Sequence, residues 1–511
     1  MRRSVLTFIL IPLLLFYCLP VEAAEKEARD WQDETIYYIS VDRFNNSDQT
    51  NDFNVNTKDP AKYHGGDFQG VIDQLDYLHD MGFTTINLSP IFESKKNDFQ
   101  GYSIRDFYKT NEHFGSLKTF KKLVKEAHKR NMKVMIDFVT NNVALNHPWL
   151  NDSTKKAWFH EEKAIRNSSD QQDLEKGWVN GLPDLNQNNQ EVKKYLIDCA
   201  KWWIEETDID GYRLNQMNYV PLSFWKDFVK EVKTIKSNVY LLGDVQSKDT
   251  NYLKSYQDSG IDGLLDFPLN PPLREAFAEP DQSLDKVLEM DKEQMTSIQN
   301  SMRMGTFMDT PETVRFTRDA VILNQHPGPR WKLALTYLYT TPGVPVVYYG
   351  SEIALDGGKG ADGQNQMDFR TDQELVEYIT KLVEVRKQLP SLANGTFKVL
   401  YSKDGMAVYK REFKGETSII ALNNTTKTQK VTLTDNELAA DKELRGLLAG
   451  DLVKSKNNEY NIILDRDKAE IYVLAEKSGL NYQYIVAMGL VYLLFIVFIV
   501  VIWKRSKRKR A

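Results

Sequence analysis

Residues 208–220 read DIDGYRLNQMNYV and follow an amphipathic run at 190–207. Gly211 begins a short apolar stretch, which predicts a buried strand that is entered from a helix. Side chains alternate along a strand, so Arg213 and Asn215 are expected on the same face, near the strand's C-terminal end.

Eight apolar runs of strand length occur along the chain, near residues 36–40, 84–89, 133–139, 211–214, 239–243, 263–266, 304–309 and 344–349. Most are separated by segments with helical periodicity, at 71–81, 117–131, 221–235, 283–303 and 330–339. This alternation predicts an α/β protein with a (β/α)8 TIM barrel over 30–392. In such a barrel the chemistry lies at the C-terminal ends of the strands.

Two stretches depart from this alternation. Residues 142–186 are polar and irregular and form a longer connection than usual between two elements of the alternation. From about residue 394 onward, short alternating apolar runs predict a C-terminal antiparallel β-sandwich domain over 393–476.

Both ends of the chain carry targeting patterns. Arg2 and Arg3 precede an apolar core and the small residues Ala23 and Ala24, which predicts a secretory signal peptide over 1–24. An N-terminal membrane anchor is the alternative, although the apolar stretch is short for a span. At the other end, residues 485–503 carry no charge and would form a helix about 30 Å long. We therefore expect a transmembrane helix at 484–503, a basic cytoplasmic tail at 504–511, and the barrel outside the cell membrane.

The amino-acid composition limits the number of domains, the class of partner and the use of disulfides. The 511 residues are 41% hydrophobic, enough for one large domain and a smaller one. Without the signal segment and the tail, 58 basic residues face 70 acidic ones, a net charge of −12. Such a surface repels nucleic acid and excludes it as a partner. Only Cys199 lies outside the signal segment, so an internal disulfide is not expected.

Three further stretches are apolar runs that end in polar residues: KVMIDFVTNN at 133–142, VYLLGDVQ at 239–246 and GTFMDTPETVRF at 305–316. With YYISVDRFNN, YHGGDFQGVIDQLDYLHDMGFTTINLSPIF, GLPDLNQNN and TTPGVPVVYYGSEI, they resemble the α-amylase family of glycoside hydrolases. Within that family the chain is similar to bacterial maltogenic amylases and cyclodextrin glucanotransferases. The resemblance covers about residues 35–475. It implies an α-1,4-glucan or maltooligosaccharide as ligand and identifies 142–186 as the family's domain B.

The resemblance also shows that all three catalytic positions of the family are altered. Its nucleophile, an Asp on the fourth barrel strand, is Asn215 here, and its general acid, a Glu after the fifth strand, is Asp244. Its third carboxylate belongs to an Asn-His-Asp triplet that reads Thr310, Pro311 and Glu312. A neutral amide is a poor nucleophile, so Asn215 closes the covalent route that retaining glycosidases use.

Other polar positions of the family site are partly kept. Histidines of the family pattern are replaced by Asn142 and Gln100, whereas Asp137, Arg213 and Tyr102 remain and are the predicted substrate-binding residues. The alternative for Arg213 is a purely structural ion pair with Asp137.

We expect the altered catalytic positions to cluster in one cleft with Asp137 and Arg213. Because Asn215 removes one negative charge, Arg213 needs another carboxylate, and we predict that this is Asp137 or Glu312.

Calcium is the predicted cofactor. The loop DRFNNSDQTND at 42–52 and the following YHGGDFQ bring six oxygen donors together: Asn46, Asp48, Asn51, Asp52, the carbonyl of Gly65, and Asp67. Hard oxygen ligands in this number suit Ca²⁺, and the resemblance implies a structural ion there. The alternative is a solvated, turn-rich loop. A second calcium site of the family would use Asn141 and Asp184.

Three functions remain open at this stage. The preferred one is an extracellular, membrane-anchored family member that binds α-glucans with weak or no hydrolysis. The second is an active hydrolase or transglycosylase, for example an inverting enzyme with Asp244 as acid and Glu312 positioning water, which requires carboxyls about 6.5–9.5 Å apart. The third is an amylase-like interaction subunit, which an exposed apolar patch without an open cleft would favour. A protein partner is not identifiable from the sequence.

Overall fold

The structure is a computed structural model that describes residues 29–371, 373–477 and 482–508. Within the last segment, side chains are described for residues 488–503. The signal peptide predicted at 1–24 lies outside the described residues, and so do positions 509–511 of the predicted tail.

The first ten strands are β1 (Ile36–Ile39), β2 (Thr85–Leu88), β3 (Phe92–Ser94), β4 (Ile104–Thr110), β5 (Lys133–Val139), β6 (Gly211–Asn215), β7 (Tyr240–Gly243), β8 (Gly263–Leu264), β9 (Gly305–Phe307) and β10 (Val344–Tyr348). All except β3 and β4 form one sheet in the order β8-β7-β6-β5-β2-β1-β10-β9. Every neighbouring pair in it is parallel. A parallel bridge between Leu265 and Gly305 closes the sheet, which confirms the predicted barrel.

The barrel strands alternate with helices, as predicted. The helices of this region are α1 (Val41–Phe44), α2 (Phe68–Asp73), α3 (Leu75–Asp80), α4 (Leu117–Lys129), α5 (Gln171–Lys176), α6 (Gln190–Thr207), α7 (Leu222–Ile235), α8 (Thr250–Gln257), α9 (Asn270–Phe277), α10 (Asp285–Ser297), α11 (Phe316–Ile322), α12 (Pro327–Thr340), α13 (Glu374–Gln388) and α14 (Pro390–Asn394). The helix predicted at 71–81 is in fact the pair α2 and α3, because Gln74 leaves the helical conformation between them, with φ −102° and ψ 5°.

The alternation expected along β6 is visible in its contacts. The hydroxyl of Tyr212 donates to the carbonyl of Ala200 in α6, so this side chain points into the helical layer. Arg213 points the opposite way and reaches Asp137 on β5. The strand thereby places Arg213 and Asn215 on the inner face of the barrel.

The insertion at 142–186 contains only short elements, among them α5 and three 3₁₀ turns at Pro148–Asn151, Ser153–Trp158 and Val179–Gly181. An antiparallel bridge between Asn142 and Asp184 joins its two ends. The segment therefore leaves and re-enters the barrel at nearly one point, beside the end of β5.

The C-terminal region is built from β11 (Thr396–Lys403), β12 (Met406–Phe413), β13 (Glu416–Asn423), β14 (Gln429–Thr434), β15 (Lys442–Gly446), β16 (Leu452–Lys454), β17 (Glu459–Leu464) and β18 (Lys468–Glu476). Six of these strands form one antiparallel sheet, and β14 pairs with β17 in a second. Met406 and Val408 pack between the two sheets, whereas Ala407 and Tyr409 join the core of the barrel. Strand β12 of the larger sheet is thus buried on both faces over most of its length, as expected for a sandwich that packs against a barrel.

The last helix is α15 (Tyr482–Arg508). Across the residues that the structure describes, no helix combines the length and the apolar character needed to cross a membrane. The transmembrane helix predicted at 484–503 therefore has no support from the structure.

Candidate functional site

Five residues predicted for the site meet at the C-terminal ends of the barrel strands. Parallel register places Asp137 of β5 beside Arg213 of β6, and Asn215 beside Val139. Asp244 follows β7 directly, and Glu312 lies in the loop after β9.

Arg213 is the centre of this cluster. Its Nη1 lies 2.7 Å from Oδ2 of Asp137, and its Nη2 lies 2.5 Å from Oδ2 of Asp244 and 3.1 Å from Oε1 of Glu312. The arginine is 1% exposed, and both aspartates are fully buried. The structure thus shows both carboxylate partners predicted for Arg213 and adds Asp244 as a third.

Asp137 is held by neutral donors in addition to Arg213. Its Oδ1 accepts a hydrogen bond from Asn87 at 2.9 Å, and its Oδ2 accepts from the hydroxyls of Tyr38 at 2.6 Å and Tyr102 at 3.2 Å. Burial raises the pKa of Asp137, and the charge of Arg213 opposes that rise. Asp137 is therefore held in place by protein donors, and both of its carboxyl oxygens already accept hydrogen bonds.

Asp244 has a more strongly perturbed environment. Burial raises its pKa to about 7, although Arg213 acts in the opposite direction. Its Oδ1 is buried without a hydrogen-bond partner among the described residues. The carboxyl group is therefore partly protonated near neutral pH, but it points at Arg213.

The spacing of the two remaining carboxyl groups follows from their shared partner. Oδ2 of Asp244 and Oε1 of Glu312 both bind Nη2 of Arg213, at 2.5 and 3.1 Å. The separation of these two oxygens cannot exceed the total of the two distances, so this oxygen pair lies closer together than the carboxyl groups of inverting glycosidases, which are about 6.5–9.5 Å apart.

An open cleft of about 320 Å³ lies above the cluster. It is lined by Asp98, Gln100, Tyr102, Ser103, Asn142, Val179, Asn180, Leu182, Asn215, Gln216, Pro311 and Glu312. Asp137, Arg213 and Asp244 are not part of this lining, since all three are buried below it. Most polar groups that face the cleft are neutral amides and hydroxyls, which suit a neutral polyhydroxylated ligand.

Two atoms at the cleft have no hydrogen-bond partner among the described residues although they are buried. They are Nδ2 of Asn215, a donor, and Oε2 of Glu312, an acceptor. A buried polar atom without a hydrogen bond lowers the stability of the fold. These two atoms are therefore suited to a ligand or to water that supplies the missing hydrogen bonds.

The first predicted calcium region is folded as a compact loop. Nδ2 of Asn46 donates to both carboxylate oxygens of Asp52, at 2.9 and 3.0 Å. Gly65, at φ +91°, packs against both residues, since a Cβ there would lie 2.3 Å from Nδ2 of Asn46. Oδ1 of Asn46 and both polar side-chain atoms of Asn51 are buried and unpartnered among the described residues. Two orphaned amide oxygens beside Asp52 fit a hard cation.

The two remaining predicted calcium ligands of this region, Asp67 and Asp48, already accept hydrogen bonds from the loop. Asp67 accepts from the backbone nitrogens of Ser47, Asp48 and Gly70, at 3.0, 2.8 and 2.6 Å. Oδ1 of Asp48 accepts from Thr50. Their carboxylates therefore shape the loop, and each would ligate a cation only as an additional bond.

The second predicted calcium region lies where the insertion meets the barrel. Oδ1 of Asn141 and Oδ1 of Asp184 are buried and unpartnered among the described residues. Oδ2 of Asp184 lies 2.5 Å from Nδ1 of His160, and burial raises the pKa of this carboxyl well above its usual value. Orphaned oxygens around a desolvated carboxylate fit a bound cation. No cluster of three or more His, Cys, Asp or Glu side chains with metal-binding geometry occurs in the described ranges, so backbone and amide oxygens would complete either site.

Several cleft residues were not singled out from the sequence. Asn180 and Leu182 come from the insertion, whose irregular sequence carries no periodic signal. Gln216 follows Asn215 directly, and that adjacency is the signal that identifies it.

Comparisons with known proteins agree with this architecture. The Alpha amylase, catalytic domain family matches residues 38–377, and the Alpha-amylase C-terminal domain family matches residues 395–472. An α-amylase structure from Anoxybacillus is 56% identical, with a TM-score of 0.87 over 89% of this chain and 100% of that one. The α-amylase of Geobacillus thermoleovorans, solved in complex with acarbose, is 51% identical, with a TM-score of 0.86 over 88% of this chain and 100% of that one.

A Beta/alpha-amylase from Paenibacillus polymyxa is 32% identical over 463 residues, which is 87% of this chain but 38% of that protein. Cyclomaltodextrinases and maltogenic amylases are further relatives. The catalytic-domain match spans more than half of the sequence, and the C-terminal domain match covers most of the sandwich. The chain therefore belongs to the α-amylase family of glycoside hydrolases.

Proposed function

We propose that this protein binds α-1,4-glucans or maltooligosaccharides in the cleft and hydrolyses them weakly or not at all. The observation that carries the proposal is the arrangement around Arg213. An amide occupies the nucleophile position, and Asp244 and Glu312 both bind the same guanidinium.

Retaining hydrolysis needs a carboxylate that attacks the sugar and a second carboxyl that protonates the leaving oxygen. Asn215 lacks the negative charge for the first role. Asp244 is fully buried, absent from the cleft lining and shorter by one methylene than the family's glutamate. A misplacement of about 1 Å is enough to cost on the order of 10²-fold in rate.

Inverting hydrolysis is the second candidate, because the pKa of Asp244 near 7 suits a general acid. The oxygens of Asp244 and Glu312 that bind Arg213 lie closer together than the carboxyl groups of inverting enzymes, which are about 6.5–9.5 Å apart. The spacing therefore favours binding without turnover.

An interaction subunit was the third candidate. Val321, Ile322 and Leu323 form an exposed apolar run on the barrel, 45%, 68% and 40% exposed. That candidate also requires a closed cleft, and the cleft here is open and polar. Glycan binding is therefore the better-supported function.

The proposal includes Ca²⁺ as a structural ion, held by Asn46, Asn51, Asp52 and the carbonyl of Gly65, and at the second site by Asn141 and Asp184. The orphaned oxygens at both places support it. A bound ion stabilises the folded state by mass action, by about 2.7 kcal/mol at a hundredfold excess over Kd.

We expect a chelator to lower the Tm of metal-loaded protein, measured by calorimetry. Asn51→Ala and Asn141→Ala should each remove part of that shift, because each deletes one orphaned oxygen. A Tm indifferent to chelator, in protein shown by elemental analysis to carry calcium, contradicts the proposal.

We also propose a cellular location, on the basis of the sequence alone. Residues 1–24 would direct secretion, and residues 484–503 would anchor the chain in the cell membrane with the barrel outside the cell. Cell fractionation tests it. The full-length chain should sediment with membranes, and a chain that ends at residue 477 should be found in the medium. Equal distribution of the two chains would overturn the anchor.

A further inference from the structure

Gln216 has an unusual backbone conformation for its residue type. Its φ is 50° and its ψ 48°, in the left-handed region. Sixteen non-glycine residues in the described ranges have positive φ, and all are asparagine or aspartate except Gln216, Ala354 and Lys414. Asparagine and aspartate tolerate this region through local hydrogen bonds, which glutamine, with its longer side chain, does not reproduce. The backbone at Gln216 is therefore strained.

The conformation is required by the path of the chain. After β6 the backbone turns sharply at Gln216 into the 3₁₀ turn Met217–Tyr219. The nitrogen of Met217 donates to the carbonyl of Asp244 at 2.8 Å, which ties this turn to the end of β7. Glycine would adopt the same turn without strain, so the presence of a glutamine indicates that its side chain has a use.

The side chain of Gln216 lines the cleft beside Asn215. Its amide makes no hydrogen bond within the described part of the chain. The neighbouring Nδ2 of Asn215, on a residue that is 3% exposed, is also unpartnered. Two residues that carry side-chain amides and are adjacent in the chain therefore line the same cleft.

We propose that Gln216 is a ligand-binding residue whose side-chain amide hydrogen-bonds hydroxyl groups of a neutral oligosaccharide, and that the strained turn is kept for this contact. The inference rests on the proposed function, since it needs a glycan in the cleft. An amide both donates and accepts, which matches the hydroxyl pairs of a sugar ring and disfavours a charged ligand.

Isothermal titration with maltoheptaose, with Tm measured in parallel, tests the inference on three variants. Gln216→Gly should bind about three- to tenfold more weakly, the effect of losing one neutral hydrogen bond. Its Tm should rise, because the strain is relieved. Gln216→Ala keeps the strain, so it should lose affinity similarly without the rise in Tm. Lys414→Gly relieves the same backbone strain on an exposed residue outside the cleft, so its Tm should rise with an unchanged Kd.

The outcomes separate the two claims. Wild-type affinity in both Gln216 variants overturns the inference and leaves the proposed function standing. A lower Tm in Gln216→Gly overturns the claim that the turn is strained. Absence of saturable binding by the wild-type protein overturns both the inference and the proposed function.

Discussion

Asn215→Asp alone is expected to leave turnover of α-1,4-glucans near background. Groups that act together in catalysis are strongly non-additive, and losing one member costs nearly as much as losing all. The new carboxylate would enter a site where Asp137, Asp244 and Glu312 already bind Arg213. Asp244 would still be too short and too deeply buried to protonate a leaving group.

Measurable activity should return when the other positions are repaired as well. The combined variant adds Asp244→Glu together with Thr310→Asn, Pro311→His and Glu312→Asp, which restores the family's acid and its Asn-His-Asp triplet. We expect at least a ~10²-fold gain over the single variant, because the acid then reaches the cleft. Activity should stay below the norm of the family while Asn142 and Gln100 are unchanged.

Release of reducing sugar from soluble starch measures both variants, with Tm as a check on folding. Full activity from Asn215→Asp alone would show that only the nucleophile had been lost. No gain from the combined variant, in folded protein, would show that the cleft no longer admits the substrate in a reactive pose.

Arg213→Met is expected to destabilise the barrel strongly. It leaves Asp137 and Asp244 buried without their cationic partner, and removing one side of a buried ion pair typically costs about 3–5 kcal/mol. Urea unfolding at pH 8 measures the loss in the free energy of unfolding.

The loss in the free energy of unfolding should depend on pH, and the burial of the two aspartates determines in which direction. Without Arg213 the folded-state pKa values of both aspartates rise further above their unfolded values. Such groups contribute stability at low pH and lose it as pH rises through the folded-state pKa, so the variant should be closer to wild type at pH 5 than at pH 8. Arg318→Met breaks an exposed pair with Asp356 and serves as the control, with a small, pH-independent effect expected. An equally small effect of Arg213→Met would mean that the cluster contributes little to stability.

Much of the barrel could be predicted because its strands are continuous apolar runs separated by amphipathic helices. The hairpin of β3 and β4 was not predicted, since β3 has only the three residues Phe92–Ser94, too few to show the alternation that identifies a strand. The prediction of a single helix at 71–81 was wrong because the backbone at Gln74 leaves the helical conformation. No residue type in that segment signals this interruption.

The clustering of the site could be predicted because the C-terminal ends of parallel strands converge on one face. The direction of each carboxylate could not be predicted. Whether Asp244 faces the cleft or Arg213 depends on burial and on side-chain conformation, which spacing along the sequence does not determine. The contribution of Asn180 to the cleft lining could not be predicted either, because the insertion that contains this residue has no periodic pattern.

Binding without turnover is tested most directly by one paired measurement on the same preparation of full-length protein. Titration with maltoheptaose gives the affinity, and release of chromophore from a chromogenic maltooligosaccharide gives the turnover, beside an active α-amylase. Saturable binding together with turnover near the buffer blank is the predicted result. Turnover comparable to that of the active α-amylase would contradict it, and so would the absence of binding.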